Sequence, residues 1–149
     1  TLDIVGDGVL RSQLEALSGL LNISDRVIFH GRVSDSQLEI LYQSSAVFAL
    51  PSTKEGFGTV YLEAWKHGIP VLCANSSAAA EIVSNGVDGF VVDPQDAIEF
   101  ANRLTELLEH PERARQMGQE GQRKVQEHYL QESFQENLKT LLHRLGLKH

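Results

Sequence analysis

The sequence predicts an α/β protein built on a parallel β-sheet, because short apolar strands alternate with helical patterns along much of its 149 residues. These strands lack regular polar alternation, as is typical of strands that are covered on both faces. A glycine turn also joins the strand at 47–50 to a helix that begins at Thr59. Because ligands of such sheets bind beyond the carboxyl ends of the strands, this turn marks a candidate site.

The N-terminal half supplies most of the predicted sheet. A helix follows the first strand and presents one apolar face at helical spacing, made of Leu10, Leu14, Leu17 and Leu21. Ser34 and Gln37 form a capping box at the start of the next helix. The helix from Thr59 is expected to stop at Gly68, a natural residue for the position after a helix. The predicted strands are 2–5, 27–29, 47–50, 70–74 and 89–92.

The chain is predicted to be helical from Asp93 onward. Asp93 and Pro94 are expected to be the N-cap and first residue of a helix whose apolar face is Ile98, Ala101, Leu104 and Leu108. A more polar helix is predicted from Pro111 to about residue 128, with a solvated face of Arg113, Arg115, Arg123 and Lys124. A third helix is predicted at 131–145. We expect one domain over 1–149, with an α/β core at 1–109 and C-terminal helices at 110–149.

Composition narrows the possible functions. The formal net charge of −7 argues against nonspecific binding of nucleic acid and of anionic membrane surfaces, which both favour basic faces. Cys73 is the single cysteine, so no internal disulfide can form, and its apolar strand predicts a small core residue. A reducing cytoplasm is therefore the expected compartment. The six histidines show no spacing typical of a metal site, and we expect no metal.

The candidate site combines two kinds of chemistry. Glu55 and Glu63 lie on either side of a Gly-Phe-Gly turn at 56–58. The start of the following helix offers backbone N–H groups and a positive end, which suit a phosphate. Carboxylates repel phosphate but accept hydrogen bonds from sugar hydroxyls. Together these features predict a ligand with both a phosphate and polyols, that is, a sugar nucleotide.

The motif at this site resembles that of a known family. The stretch from Pro51 to Ala64 reads PSTKEGFGTVYLEA and is similar to the donor-binding signature of retaining GT-B glycosyltransferases of family 4, also called group 1. Further blocks fit in order, at 5–8, 27–33, 68–71, 81–83 and 85–92. The resemblance covers about residues 2 to 109. It implies the C-terminal, nucleotide-sugar-binding half of that fold, which is a Rossmann-like doubly wound parallel sheet.

The resemblance also implies roles for individual residues. Glu55 would contact the donor sugar or support charge near its anomeric carbon, which makes it the candidate catalytic residue, and Glu63 would accept hydrogen bonds from the ribose. The turn around Gly6 and Gly8 would lie near the nucleotide. The backbone at 31–33 would read the base, with Arg32 and Val33 as candidate donor-binding residues. The sugar and β-phosphate would be held by the remaining turn residues, Gly56, Phe57, Gly58, Thr59 and Val60.

The resembled enzymes contain segments that the sequence lacks. In that fold a first strand and helix, which carry an Arg and a Lys for the donor diphosphate, precede the strand at 2–5. We expect that strand to lie between strands 2–5 and 47–50, and we expect an N-terminal acceptor domain to be a partner. The resemblance implies a UDP- or GDP-linked sugar as substrate and no cofactor. It also implies membrane contact only through the acceptor domain or a lipid-linked acceptor, peripheral to the inner face of the cytoplasmic membrane.

Other functions stay open at this point. One alternative is a nucleotide-sugar-binding module without turnover, and another is a related GT-B enzyme such as a sugar-nucleotide epimerase. A phosphorylase would carry a pyridoxal-binding lysine motif, which is not seen. A dinucleotide-binding dehydrogenase is a poor fit, because Arg11 stands where the third glycine of the Gly6-Asp7-Gly8 fingerprint belongs. We therefore expect a donor-binding domain that transfers no sugar by itself.

Overall fold

The computed structural model describes residues 1–53 and 58–129. The chain divides into two compact units, Thr1–Ser44 and a second that begins at Ser45. The expected single domain over 1–149 stays a prediction. The helix predicted at 131–145 lies outside the described residues.

The first unit is one βαβα segment. Its elements are β1 (Leu2–Val5), α1 (Arg11–Leu20), β2 (Val27–Gly31) and α2 (Asp35–Ser44). The two strands are parallel, with Leu2 opposite Val27. The register shifts between Ile4 and Val5, so that Val5 lies opposite Gly31 at the end of the strand. The shift brings the loop after β1 to the last residue of β2.

Helix α2 begins and packs as its sequence indicates. The Ser34 N–H donates to Gln37 Oε1 at 3.0 Å, and the Gln37 N–H donates to Ser34 Oγ at 3.4 Å, which confirms the capping box. Tyr42 is buried, and Leu38 and Leu41 are half-buried. The leucine face of α1 differs, because its members remain between 41% and 58% exposed while Ser18 is buried. A two-stranded sheet offers too little apolar surface to cover the whole stripe.

The second unit surrounds a three-stranded parallel sheet in the order β3-β4-β5. The central strand β4 is buried at all four positions, as expected for a strand covered on both faces. Leu72, Phe90 and Val92 of the sheet form one core cluster with residues of the last two helices. The elements are β3 (Phe48–Leu50), α3 (Thr59–Lys66), β4 (Val71–Ala74), α4 (Ala79–Ile82), β5 (Gly89–Val92), α5 (Ala97–Glu109) and α6 (Pro111–His128).

Helix α6 packs closely against α3 and the residues that follow it. Its buried face is a stripe of mostly small residues at helical spacing, namely Ala114, Met117, Gly118, Gly121 and Val125. A Cβ atom on Gly118 would overlap the backbone carbonyl of Gly68, and one on Gly121 would overlap the ring of Trp65. The two glycines therefore set how closely α6 approaches this part of the unit.

The predicted start of α5 is wrong by one turn. The N-cap is Asp96, whose Oδ1 accepts the N–H groups of Ile98 and Glu99 at 3.0 and 2.8 Å. Asp93 instead accepts the N–H of Gln95 at 2.9 Å and holds a turn before the helix. The apolar face also differs from the prediction, because Leu107 is buried whereas Ile98 and Leu108, both in the predicted face, are 75% and 56% exposed.

The strand pairings agree with the predicted doubly wound order. That order places the second strand beside the third, and the fourth, fifth and sixth strands side by side, as β1–β2 and β3–β4–β5 do. The strand that is expected between strands 2–5 and 47–50 stays a prediction. Within residues 1–53 and 58–129, no helix is long and apolar enough to cross a membrane.

Candidate functional site

The glycine turn after β3 opens helix α3 with a residue in the left-handed conformation. Gly58 is the N-cap, has φ +73°, and is buried. A Cβ atom there would lie 2.9 Å from Cδ2 of Tyr61 and 3.5 Å from Cβ of Ala79. Both the conformation and the space therefore require glycine. Three predicted site residues of this turn, Glu55, Gly56 and Phe57, lie outside the described residues.

The start of α3 has the features of an anion-binding helix end. Among the residues that the structure describes, no side chain caps this helix, and its first turn has no acidic residue. Thr59 is exposed and Val60 is half-buried. Because a helix leaves its first N–H groups without intrahelical acceptors and its N-terminus carries a partial positive charge, a phosphate here would be stabilised.

Glu63 lies on the same side of α3 as Thr59, one turn further along. Residues four apart in a helix are neighbours on its surface, and helical side chains lean toward the N-terminus. The side chain of Glu63 is half-buried. The opposite side of α3 holds the helix on the core through Tyr61, Ala64 and Trp65. The role of Glu63 as a hydroxyl acceptor stays a prediction.

In the first unit, the structure brings together the two glycine segments that the sequence singled out. The Gly6 N–H donates to the Gly31 carbonyl at 2.7 Å, and both residues have positive φ, +112° and +67°. The Gly8 carbonyl accepts the Arg11 N–H at 3.1 Å, which leads the chain into α1. Arg32 and Gly8 are exposed and Val33 is half-buried. The two segments meet at the ends of β1 and β2, where Gly31 is buried and Gly6 is exposed.

Arg11 contacts the end of β2, a role that the motif did not reveal. Its Nη2 donates to the carbonyl of Phe29 at 3.0 Å, and its guanidinium carbon lies 6.0 Å from the centre of the Phe29 ring. A Cβ atom on Gly31 would lie 3.0 Å from Arg11 Nη1. The residue that replaces the third fingerprint glycine therefore braces the end of β2.

The predicted donor site combines residues of both units, and this combination stays a prediction. Within residues 1–53 and 58–129 there is no group of three or more His, Cys, Asp or Glu side chains that could hold a metal ion.

The chain is similar in sequence to known glycosyltransferases. Residues 1–124 match the family model described as "Glycosyl transferases group 1". A GDP-mannose-dependent alpha-(1-6)-phosphatidylinositol monomannoside mannosyltransferase of Mycobacterium tuberculosis is 35% identical over 127 residues, which are 80% of this chain and 33% of the relative. The N-acetyl-alpha-D-glucosaminyl L-malate synthase of Bacillus anthracis is 31% identical over 138 residues, 93% of this chain and 36% of the relative. The chain thus spans about a third of the length of these curated relatives.

Solved structures share the fold. Sucrose-phosphate synthase from Thermosynechococcus elongatus superposes with a TM-score of 0.83 at 31% identity, over 97% of this chain and 38% of that one. Alr3699/HepE from Anabaena, solved in complex with UDP-glucose, gives a TM-score of 0.81 at 29% identity, over 95% of this chain and 40% of that one.

Proposed function

Because the chain belongs to the group 1 glycosyl transferases, we propose that it is the C-terminal, donor-binding domain of a retaining GT-B glycosyltransferase. The whole enzyme would transfer a hexosyl-type sugar from a nucleoside diphosphate to an acceptor hydroxyl, in the synthesis of a polysaccharide, lipopolysaccharide or glycolipid. The observation that carries the proposal is the left-handed, buried Gly58 that opens α3, with Glu63 half-buried one turn after Thr59.

The names of the relatives support a nucleoside-diphosphate sugar as the donor. One relative is named as GDP-mannose-dependent, and one structure of similar fold holds UDP-glucose. We therefore propose a UDP- or GDP-linked sugar for this chain. Its ribose would bind Glu63, its base would lie on the backbone at Gly31–Val33, and its sugar hydroxyls would face Glu55.

The proposed chemistry requires stabilisation of the leaving group. Transfer develops negative charge on the departing phosphate and positive charge on the sugar ring. Backbone N–H groups at Gly58 and Thr59, at the positive end of α3, would stabilise the phosphate. In this proposal protein cations and helix dipoles take the part that a metal ion plays elsewhere.

Replacing Glu63 by alanine is expected to weaken binding of the free nucleoside diphosphate by about 1–3 kcal/mol, because charged hydrogen bonds to the ribose are lost. The affinity would fall roughly 5- to 150-fold. Isothermal titration calorimetry of the whole enzyme with UDP and with GDP measures this change. Glu109→Ala is the control, since Glu109 is an exposed acid at the end of α5. Equal affinity in wild type and Glu63→Ala would contradict the assigned role.

The 149-residue chain by itself is expected to transfer no sugar. Enzymes of this class close two domains around the reactants to exclude water and fix their geometry, and we propose that the acceptor domain is supplied by another part of the protein. We propose a cytoplasmic enzyme that meets membranes only through that domain or a lipid-linked acceptor. An assay of the purified chain with a radiolabelled donor tests whether it transfers sugar. Measurable transfer would show that the catalytic groups lie within these residues.

A further inference from the structure

Lys124 of α6 binds a buried carboxylate and the end of another helix. Its Nζ donates to the Ile82 carbonyl and to Ser84 Oγ, both at 2.8 Å, and forms an ion pair with Asp88. The Lys124 side chain is 20% exposed, and that of Asp88 is 1% exposed. The remaining oxygen of Asp88 accepts the Ser84 N–H at 2.8 Å. Lys124 is therefore not part of a solvated helix face, in contrast to the sequence prediction.

Trp65 of α3 joins the same cluster. The Lys124 ammonium lies 5.1 Å from the centre of the Trp65 ring, and the Trp65 Nε1–H donates to the Asp88 carbonyl at 2.9 Å. One cation on α6 thus links α3, the end of α4 and the turn before β5. Apolar residues of similar volume often stabilise a fold as well as a buried ion pair does. Stability alone therefore does not explain why this pair lies here.

The cluster holds one end of α4, and the other end of α4 lies beside Gly58. Helix α4 has four residues and ends at Ile82, whose carbonyl Lys124 caps. Its first residue, Ala79, is fully buried, and its methyl group lies 3.5 Å from the point where a Cβ of Gly58 would be. A helix this short has little stability of its own, so its position depends on these outside contacts.

We propose that Lys124 and Asp88 are positioning residues for the donor site, which act by holding α4 beside Gly58. The inference rests on the proposed function, because it assigns the turn at Gly58 to the β-phosphate and sugar of the donor. It predicts that loss of the ion pair weakens binding of the diphosphate part of the ligand and leaves binding of the base and ribose unchanged.

The test uses the whole enzyme with the double substitution Lys124→Met and Asp88→Asn. Methionine keeps an apolar stem against Trp65, and asparagine keeps an acceptor for the Ser84 N–H, so no buried charge is left unpaired. The control is Arg123→Met, which removes the neighbouring cation from α6. Arg123 is 60% exposed and binds only Glu120 and Glu127 among the contacts found in the described residues. Ala79→Gly is a second variant that removes the methyl group at Gly58 without touching the ion pair.

Two measurements decide the outcome. Calorimetry with UDP and UMP, and with GDP and GMP, gives the preference for diphosphate over monophosphate. Amide hydrogen exchange reports the opening of residues 79–83. We expect the double variant and Ala79→Gly to lose roughly 10-fold of the diphosphate preference, the loss expected for one charged hydrogen bond. Exchange at 79–83 should accelerate in both, and Arg123→Met should match wild type.

The alternatives give different results. Faster exchange with an unchanged diphosphate preference would make the ion pair purely structural and overturn the inference. Unchanged exchange in the double variant would show that Lys124 does not hold α4, which overturns it as well. Equal losses for monophosphate and diphosphate would indicate general destabilisation and count against it. Failure of the proposed function appears separately, as absence of diphosphate binding by the wild type, and the inference would fall with it.

Discussion

Replacing Gly118 by alanine is expected to lower the free energy of unfolding by about 3 kcal/mol, because the new methyl group overlaps the Gly68 carbonyl. Backbone atoms cannot rotate away as the end of a side chain can, so α6 must move off the residues that follow α3. The higher helix propensity of alanine offsets only about 1 kcal/mol of this cost. Urea denaturation of the purified chain measures the change.

Gly19→Ala is the matched control for this substitution. Gly19 also lies in a helix, α1, and the nearest heavy atom to its Cβ position is Ser24 Oγ at 3.8 Å, an ordinary contact. Alanine there is expected to change stability by at most about 1 kcal/mol, in the stabilising direction. If both variants were equally stable, α6 would not pack as closely as the structure shows.

Stability is also expected to fall in alkaline solution because of Cys73. Burial, with a further contribution from the Asp88 carboxylate, raises the pKa of this thiol from 9.0 to about 11. The unfolded chain therefore releases the proton first, so the stabilisation is complete below about pH 9 and is lost as the pH rises to about 11. Two pKa units correspond to about 2–3 kcal/mol.

The contribution of one thiol is separated from other alkaline titrations by comparison with Cys73→Ala. Free energies of unfolding are measured for both proteins at several pH values across that range. The difference in free energy of unfolding between wild type and variant should shrink as the pH rises, because only the wild type contains the thiol that loses its proton. Parallel profiles would contradict the raised pKa.

The sheet could be predicted from sequence because its signals are local. Each predicted strand is a short, mostly apolar run, and the capping box at Ser34 and Gln37 marks the start of α2. The α5 start could not be settled in this way. Asp93 and Asp96 are both suitable N-caps by residue type, and the sequence alone does not choose between them.

Parts of the candidate site could also be predicted from local sequence signals. Gly58 and Gly68 have the left-handed conformations that their places at the two ends of α3 suggested. The hydrogen bond between Gly6 and Gly31 was not predicted. The role of Lys124 was missed because its partners at 82–88 are distant in sequence, and nothing in the charge pattern of α6 separates it from Arg123. Assignments at Glu55, Gly56 and Phe57 stay predictions.

The strand pairings have a consequence for how the chain folds. In the described part of the chain, every pairing joins strands that follow one another in sequence, β1 with β2, β3 with β4, and β4 with β5. Each pairing therefore closes a single short βαβ loop, and the entropy cost of closure stays small. During synthesis β1 and β2 can pair with each other once β2 has left the ribosome, before the central strand β4 exists. Early pairing shortens the time during which these two strands expose unpaired backbone groups, which are open to aggregation.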